Sequence, residues 1–172
     1  MSRDLPPDHV EARRDQWRRE LPDLDTRGMS ILGRARWISL RVRPPIEAVF
    51  AEHDLDTGEF DVLSTLLRSG PPYQLRPTEL YTALMISSGG LTARLGKLEK
   101  AKLVERLPAQ DDGRVLLVRL TPEGRSRAEA AFRQDMAVEA ALLEGLNDEE
   151  QAQLARLLWK LSLEIGKPGS DA

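Results

Sequence analysis

Residues 87–100 read Ser-Ser-Gly-Gly-Leu-Thr-Ala-Arg-Leu-Gly-Lys-Leu-Glu-Lys, and residues 103–120 read Leu-Val-Glu-Arg-Leu-Pro-Ala-Gln-Asp-Asp-Gly-Arg-Val-Leu-Leu-Val-Arg-Leu. In the first stretch Leu91, Leu95 and Leu98 recur at helical spacing, so a helix is expected from Ser88 to about Lys100 with Ser87 as its N-cap. With those leucines at the centre of the buried face, a step of about 100° per residue turns Gly89, Ala93, Gly96 and Lys97 outward. The second stretch alternates instead, with Leu116, Val118 and Leu120 set against Leu117 and Arg119. Leu103 to Leu107 and Val115 to Leu120 are therefore expected strands, and the turn dipeptide Asp112-Gly113 between them makes a hairpin.

Upstream, Pro77 suits the first position of a short helix, Pro77 to Leu84, and a brief break at Met85-Ile86 separates it from the next. Helix, break, helix and hairpin in that order is the winged helix-turn-helix arrangement. Further upstream, Asp56-Thr57-Gly58-Glu59 reads as a capping box for a helix with Phe60, Leu63 and Leu67 on one face, stopped by Ser69-Gly70-Pro71-Pro72. A helical stretch precedes it from Thr26 to Glu52, and Pro44-Pro45 should kink or break that stretch. The first helix, His9 to Glu20, is expected to be capped by Asp8, with Glu11 completing a capping box. Downstream, Thr121-Pro122-Glu123 opens a long helix carrying Ala128, Ala131, Phe132, Val138 and Leu142 near one face. Asn147 and Glu150 cap a last helix with an apolar stripe of Leu154, Leu157, Leu158, Leu161 and Ile165. The expected fold is mainly α with a small β-hairpin wing. Its parts are an N-terminal extension (1–25), a core helix (26–55), the winged module (56–120) and two C-terminal helices (121–172).

Composition removes several function classes. With 172 residues, 41% of them apolar, the chain can bury a real core. The absence of cysteine excludes disulfides, thiolate metal sites and cysteine redox sensing. His9 and His53 are far apart, and neither has a second ligand at close spacing, so no metal is expected. No run of about 18 apolar residues suggests a membrane span, and the polar N-terminus lacks the apolar region of a secretory signal, so a cytoplasmic protein is expected. No nucleophile–base set or nucleotide-binding glycine loop is recognisable, so no enzyme, catalytic residue or cofactor is expected. The net charge of −3 does not announce a nucleic-acid binder, but residues 76–120 hold 8 basic and 5 acidic residues while both flanks are acidic.

That basic middle has a candidate interface. Ser87, Ser88, Gly89 and Gly90 stand at a helix N-terminus, where free backbone amides attract phosphate. Ala93 and the glycines would let the helix approach a major groove closely, and Thr92 and Lys97 are the candidates for contacts to bases or phosphates. Arg114, at the hairpin tip, is placed to enter an adjacent minor groove. A plainer reading stands beside this one: a core helix whose two early glycines cost about 1 kcal/mol each, and a solvated surface arginine.

The chain resembles the MarR family of regulators. The resemblance rests on Leu75-Arg76-Pro77-Thr78-Glu79-Leu80, Ser87-Ser88-Gly89-Gly90-Leu91-Thr92-Ala93-Arg94-Leu95, Leu98-Glu99-Lys100-Ala101-Lys102-Leu103-Val104-Glu105-Arg106 and Leu120-Thr121-Pro122-Glu123-Gly124, and it covers about residues 27–165. It implies a homodimer interlocked through its N- and C-terminal helices. Two winged modules would bind a palindromic double-stranded DNA operator until a ligand or other signal loosens them. Two departures stand out. The wing tip reads Asp112-Gly113-Arg114 where the family usually has Asp-Arg-Arg, and Pro44-Pro45 interrupts a helix that is often continuous.

A closer resemblance is to the urate-responsive branch of that family, the PecS and HucR type. It implies ligand-binding roles for Trp17 in the extra N-terminal helix, Asp61, Arg94 in the reading helix and Arg106 at the start of the wing, with urate or another purine as effector. These roles fit the chemistry of a flat anion, which needs an aromatic face, cations and hydrogen-bond partners. Arg94 lies about 60° from the buried centre of its helix and so points toward the protein body, where a bound ligand would draw the helix out of register with a groove. Other phenolic or carboxylate ligands remain open, as does a winged-helix interaction protein that does not read DNA.

Overall fold

The computed structural model describes residues 7–84, 90–108 and 116–166. Its elements are α1 (His9–Glu20), a π-helical turn (Met29–Gly33), α2 (Arg34–Glu52), α3 (Thr57–Arg68), β1 (Gln74–Leu75), α4 (Pro77–Ala83), α5 (Leu91–Lys100), β2 (Val104–Pro108), β3 (Leu116–Leu120), α6 (Pro122–Leu142) and α7 (Asp148–Ile165). The chain is mainly helical with a small antiparallel sheet, as expected. It divides into two compact units between Ala48 and Val49.

In the N-terminal unit the Asp8 carboxylate accepts from the backbone N–H groups of Val10 and Glu11 at 3.0 and 2.9 Å, which starts α1 where the sequence placed it. The expected capping box does not close. Glu11 pairs with Arg14 and Arg18 instead, both at 2.9 Å, because two guanidinium groups on its own helix face outcompete a single amide. Arg34 binds Asp8 through Nε at 2.7 Å and Nη2 at 3.0 Å, tying the start of α2 to the cap of α1. That guanidinium, and then the Glu11 amide, hold the Asp8 carboxyl well below the usual carboxylate range. Val10 is the buried apolar anchor of the unit.

The second helical stretch corrects the reading of Pro44-Pro45. α2 runs unbroken through both prolines to Glu52, and the irregular turn lies earlier, at Met29–Gly33. A proline ring fixes φ near its helical value, and the carbonyls of Leu40 and Arg41 that lose their N–H partners belong to exposed residues where water can serve them. An Arg43–Glu47 pair at 3.1 Å brackets the prolines.

In the C-terminal unit α3 is the central helix. Its capping box is formed as expected: Glu59 N–H donates to Asp56 at 2.8 Å, and Asp56 N–H donates to Glu59 at 2.9 Å. Val62, Leu63 and Leu66 are fully enclosed, and Phe60 stacks on Phe50 with ring centroids 4.0 Å apart. Leu80, Leu98, Leu103 and Val118 bring α4, α5 and the wing onto the same core. Each such side chain contributes about 1.5–3 kcal/mol by its burial.

The wing pairs β2 with β3 in antiparallel register, Val104 opposite Leu120 and Pro108 opposite Leu116. A third strand, β1, adds Gln74 opposite Arg119. The sequence did not disclose it, because two residues are too few for an alternating pattern. The wing is locked to α6 at Thr121, whose hydroxyl caps the helix by accepting from Gly124 N–H at 2.9 Å and donates to the Lys102 carbonyl at 2.8 Å. Gly124 lies so close to the Leu103 carbonyl that any Cβ there would overlap it.

α6 and α7 begin at the expected caps, Thr121 and Asn147. α7 buries none of its residues: Leu157, Leu158, Leu163 and Ile165 are between 48% and 60% exposed, and Trp159 is 64% exposed.

Candidate nucleic-acid interface

α5 presents the two faces the sequence implied. Leu91, Leu95 and Leu98 are buried, while Thr92, Ala93, Gly96 and Lys97 are exposed. Its start differs. The helix begins at Leu91 rather than Ser88, because Gly90 takes φ +79, a left-handed conformation that glycine adopts freely and that cannot lie inside a right-handed helix. The expected cap Ser87, with Ser88 and Gly89, lies outside the described residues, as does Arg114.

Lys97 is exposed but engaged. Its Nζ stands 3.3 Å from Glu59 Oε1 and 3.5 Å from Asp56 Oδ2, the two side chains that cap α3. The hydrogen bond to Glu59, reinforced by both negative charges, raises the ammonium pKa. Lys97 thus stitches α5 to the start of α3, and a phosphate contact would have to compete with two carboxylates.

The ligand positions implied by the resemblance are distributed as follows. Arg94 is half-buried and lays its guanidinium against Gly58 in the first turn of α3, so closely that a Cβ at Gly58 would collide with it. The capping-box pattern gives Gly58 no such role. Its bare Cα is what seats Arg94, a requirement no spacing rule exposes. Asp61 follows one helical turn further along α3 and is 6% exposed. Arg106, on β2, pairs with Glu99 of α5 at 3.1 Å and ties the wing to the reading helix. Trp17 is exposed on α1, in the N-terminal unit.

One further residue escaped the sequence reading. Tyr81 on α4 is 56% exposed. With Thr78, Thr82 and Thr92 it lines a hollow of about 590 Å³ between α4 and the start of α5. These hydroxyls share the region of Thr92 and are suited to phosphate or base edges. Tyr81 falls immediately after buried Leu80, and that alternation on a seven-residue helix was the only signal for it. Among the described residues no group of acidic or histidine side chains is placed to hold a metal ion, and no helix is long and apolar enough to cross a membrane.

Comparison with known proteins places this geometry. Residues 53–115 match the model of the MarR family. The chain is 36% identical over 146 residues to the HTH-type transcriptional regulator PecS of Dickeya dadantii, covering 85% of this chain and 88% of that protein. A mutant of MarR from E. coli complexed with operator DNA superimposes with a TM-score of 0.65 at 25% identity, covering 84% of this chain and 96% of that one. BpsR of Bordetella bronchiseptica, described with a mechanism for regulation of its DNA binding by 6-hydroxynicotinic acid, gives 0.59 at 25% identity over 73% of this chain and 90% of that one. The exposed face of α5, the wing behind it and the similarity to PecS along most of the chain lead to one conclusion: this protein belongs to the MarR family, whose members are DNA-binding, ligand-responsive transcriptional regulators and not enzymes.

Proposed function

We propose that the chain represses transcription as a homodimer on a palindromic operator and is released by a small anionic aromatic ligand, urate or a related purine. The observation that carries the DNA part is the outward face of α5: Thr92, Ala93 and Gly96 are small and exposed opposite three buried leucines, as a groove-reading helix requires. The bare apolar stripe of α7 supports the pairing of two chains, since a helix that buries none of its residues and leaves Leu157, Leu158 and Leu163 about half in water has not found its partner within one chain.

Support for the ligand comes from Trp17, Asp61, Arg94 and Arg106, the positions that match the urate-responsive branch. Arg94 is the link to DNA binding, because a ligand on its guanidinium would pull on α5 against its seat at Gly58. The similarity to BpsR favours one second reading, a pyridine or phenolic carboxylate in place of urate.

Fluorescence anisotropy with a duplex from the upstream region of the protein's own coding sequence tests both parts. The proposal expects binding that weakens steeply with salt, release by urate, and a blunted urate response in Trp17→Ala and Arg94→Ala. Release by 6-hydroxynicotinate but not by urate would establish the second reading. No salt-sensitive binding at all would mean a winged-helix protein that does not read DNA.

A further inference from the structure

Within the N-terminal unit, α1 and the start of α2 enclose a hollow of about 400 Å³. His9 and Arg13 contribute from α1, Met29 and Gly33 from the two ends of the π-helical turn, and Arg36 and Trp37 from α2. Among the described residues no aspartate or glutamate lines it. Three acids in the first two turns of α1 and at its cap are already engaged: Asp8 with Arg34, Glu11 with Arg14 and Arg18, and Asp15 with Arg18. Among the described residues Arg13 reaches only the His9 carbonyl, at 3.3 Å. Arg36 has no ion pair or hydrogen bond among the described residues.

The aromatic wall is partly assembled. The His9 and Trp37 rings lie 4.9 Å apart at 37°, and Arg41 Cζ stands 5.3 Å from the Trp37 centroid. The backbone here is also irregular, since Met29–Gly33 is the one π-helical turn among the described residues. Such turns trade hydrogen-bond quality for local shape and are frequent at functional sites.

From this arrangement we propose that the hollow binds a small planar carboxylate, its ring against the Trp37 indole and its carboxylate held by Arg13 and Arg36. The volume is in the range of small-molecule sites. Paired guanidinium forks match a carboxylate in charge and geometry, and an indole face suits a flat ring. The site uses none of Asp61, Arg94 or Arg106, so it stands or falls separately from the effector reading above.

The test follows the indole N–H signals of Trp17, Trp37 and Trp159 by ¹H–¹⁵N correlation spectroscopy of the full chain, assigned with W17F, W37F and W159F, while benzoate or its neutral analogue benzamide is added. Benzoate is expected to shift the Trp37 signal saturably, with benzamide at least about tenfold weaker because it lacks the charge. The double substitution Arg13→Gln, Arg36→Gln should weaken benzoate by about tenfold or more. Arg19→Gln, on the same helix but outside the hollow, should change it less than about twofold. A Trp37 signal indifferent to benzoate, equal binding of benzamide, or an unchanged affinity in the double variant would overturn the proposal. Operator release by urate is read on a different assay, so failure of one does not mask failure of the other.

Discussion

At the residue scale, the sharpest local conflict is Asp135. It sits on α6 at 5% exposure, and among the described residues its enclosed Oδ1 has no hydrogen-bond partner, nor has the equally enclosed Thr65 Oγ1. Burial first, and then the negative charge of Glu139, pushes the Asp135 carboxyl pKa up. The sign of the consequence follows directly. A carboxyl that holds its proton more tightly when folded favours the native state at low pH. That advantage is lost as pH rises from the unfolded value near 4 through the raised folded value. Asp135→Asn removes the titration while keeping the shape. Thermal unfolding should therefore show the variant near wild type at pH 4 and more stable at pH 8, with the difference levelling off once the native carboxyl has ionised. A variant less stable than wild type at pH 8 would mean that the Asp135 charge has a stabilising partner.

At the element scale, the joint between the wing and α6 depends on one missing side chain. Gly124→Ala drives a Cβ into the Leu103 carbonyl, which itself accepts from Thr121 N–H at 3.1 Å. Backbone on both sides must shift, so a loss of about 1–3 kcal/mol is expected by chemical denaturation. Alanine at Gly96, where the space is open, should be neutral or slightly stabilising.

The elements also show what a sequence can and cannot disclose. Caps at Asp8, Asp56, Thr121 and Asn147 were legible because an oxygen two or three residues before an amide is a local fact. The faces of α5 were legible because Leu91, Leu95 and Leu98 are strictly periodic. The continuity of α2 through Pro44-Pro45 was not, since it depends on where exposed carbonyls find water. Nor was the role of Gly58, because it depends on Arg94, distant in sequence and brought close by tertiary packing. Of the interface, Thr92, Ala93 and Lys97 fall on the exposed face as read, but the carboxylates that hold Lys97 come from α3 and are invisible to helical periodicity.

At the scale of the whole molecule, the proposed homodimer rests on apolar surface that a single chain leaves uncovered. Leu158, 49% exposed on α7, is one such residue. Leu158→Glu places a charge in the proposed interface, where an unpaired carboxylate is costly. Sedimentation velocity should then show a dimeric wild type and a monomeric or weakly associating variant. A monomeric wild type would remove the two-fold pairing, and with it the palindromic operator.

The central claim is that the outward face of α5 reads DNA, and Ala93 is its most direct probe because it is small, exposed and outside the core. Operator binding by wild type and Ala93→Glu should be compared by anisotropy at several salt concentrations, with thermal unfolding as a control for folding. A carboxylate facing phosphates and base edges should lower affinity on the order of a hundredfold while the unfolding temperature stays within about two degrees, since exposed substitutions rarely change stability by more than ~0.5 kcal/mol. A folded Ala93→Glu protein that binds the operator as tightly as wild type would contradict that claim.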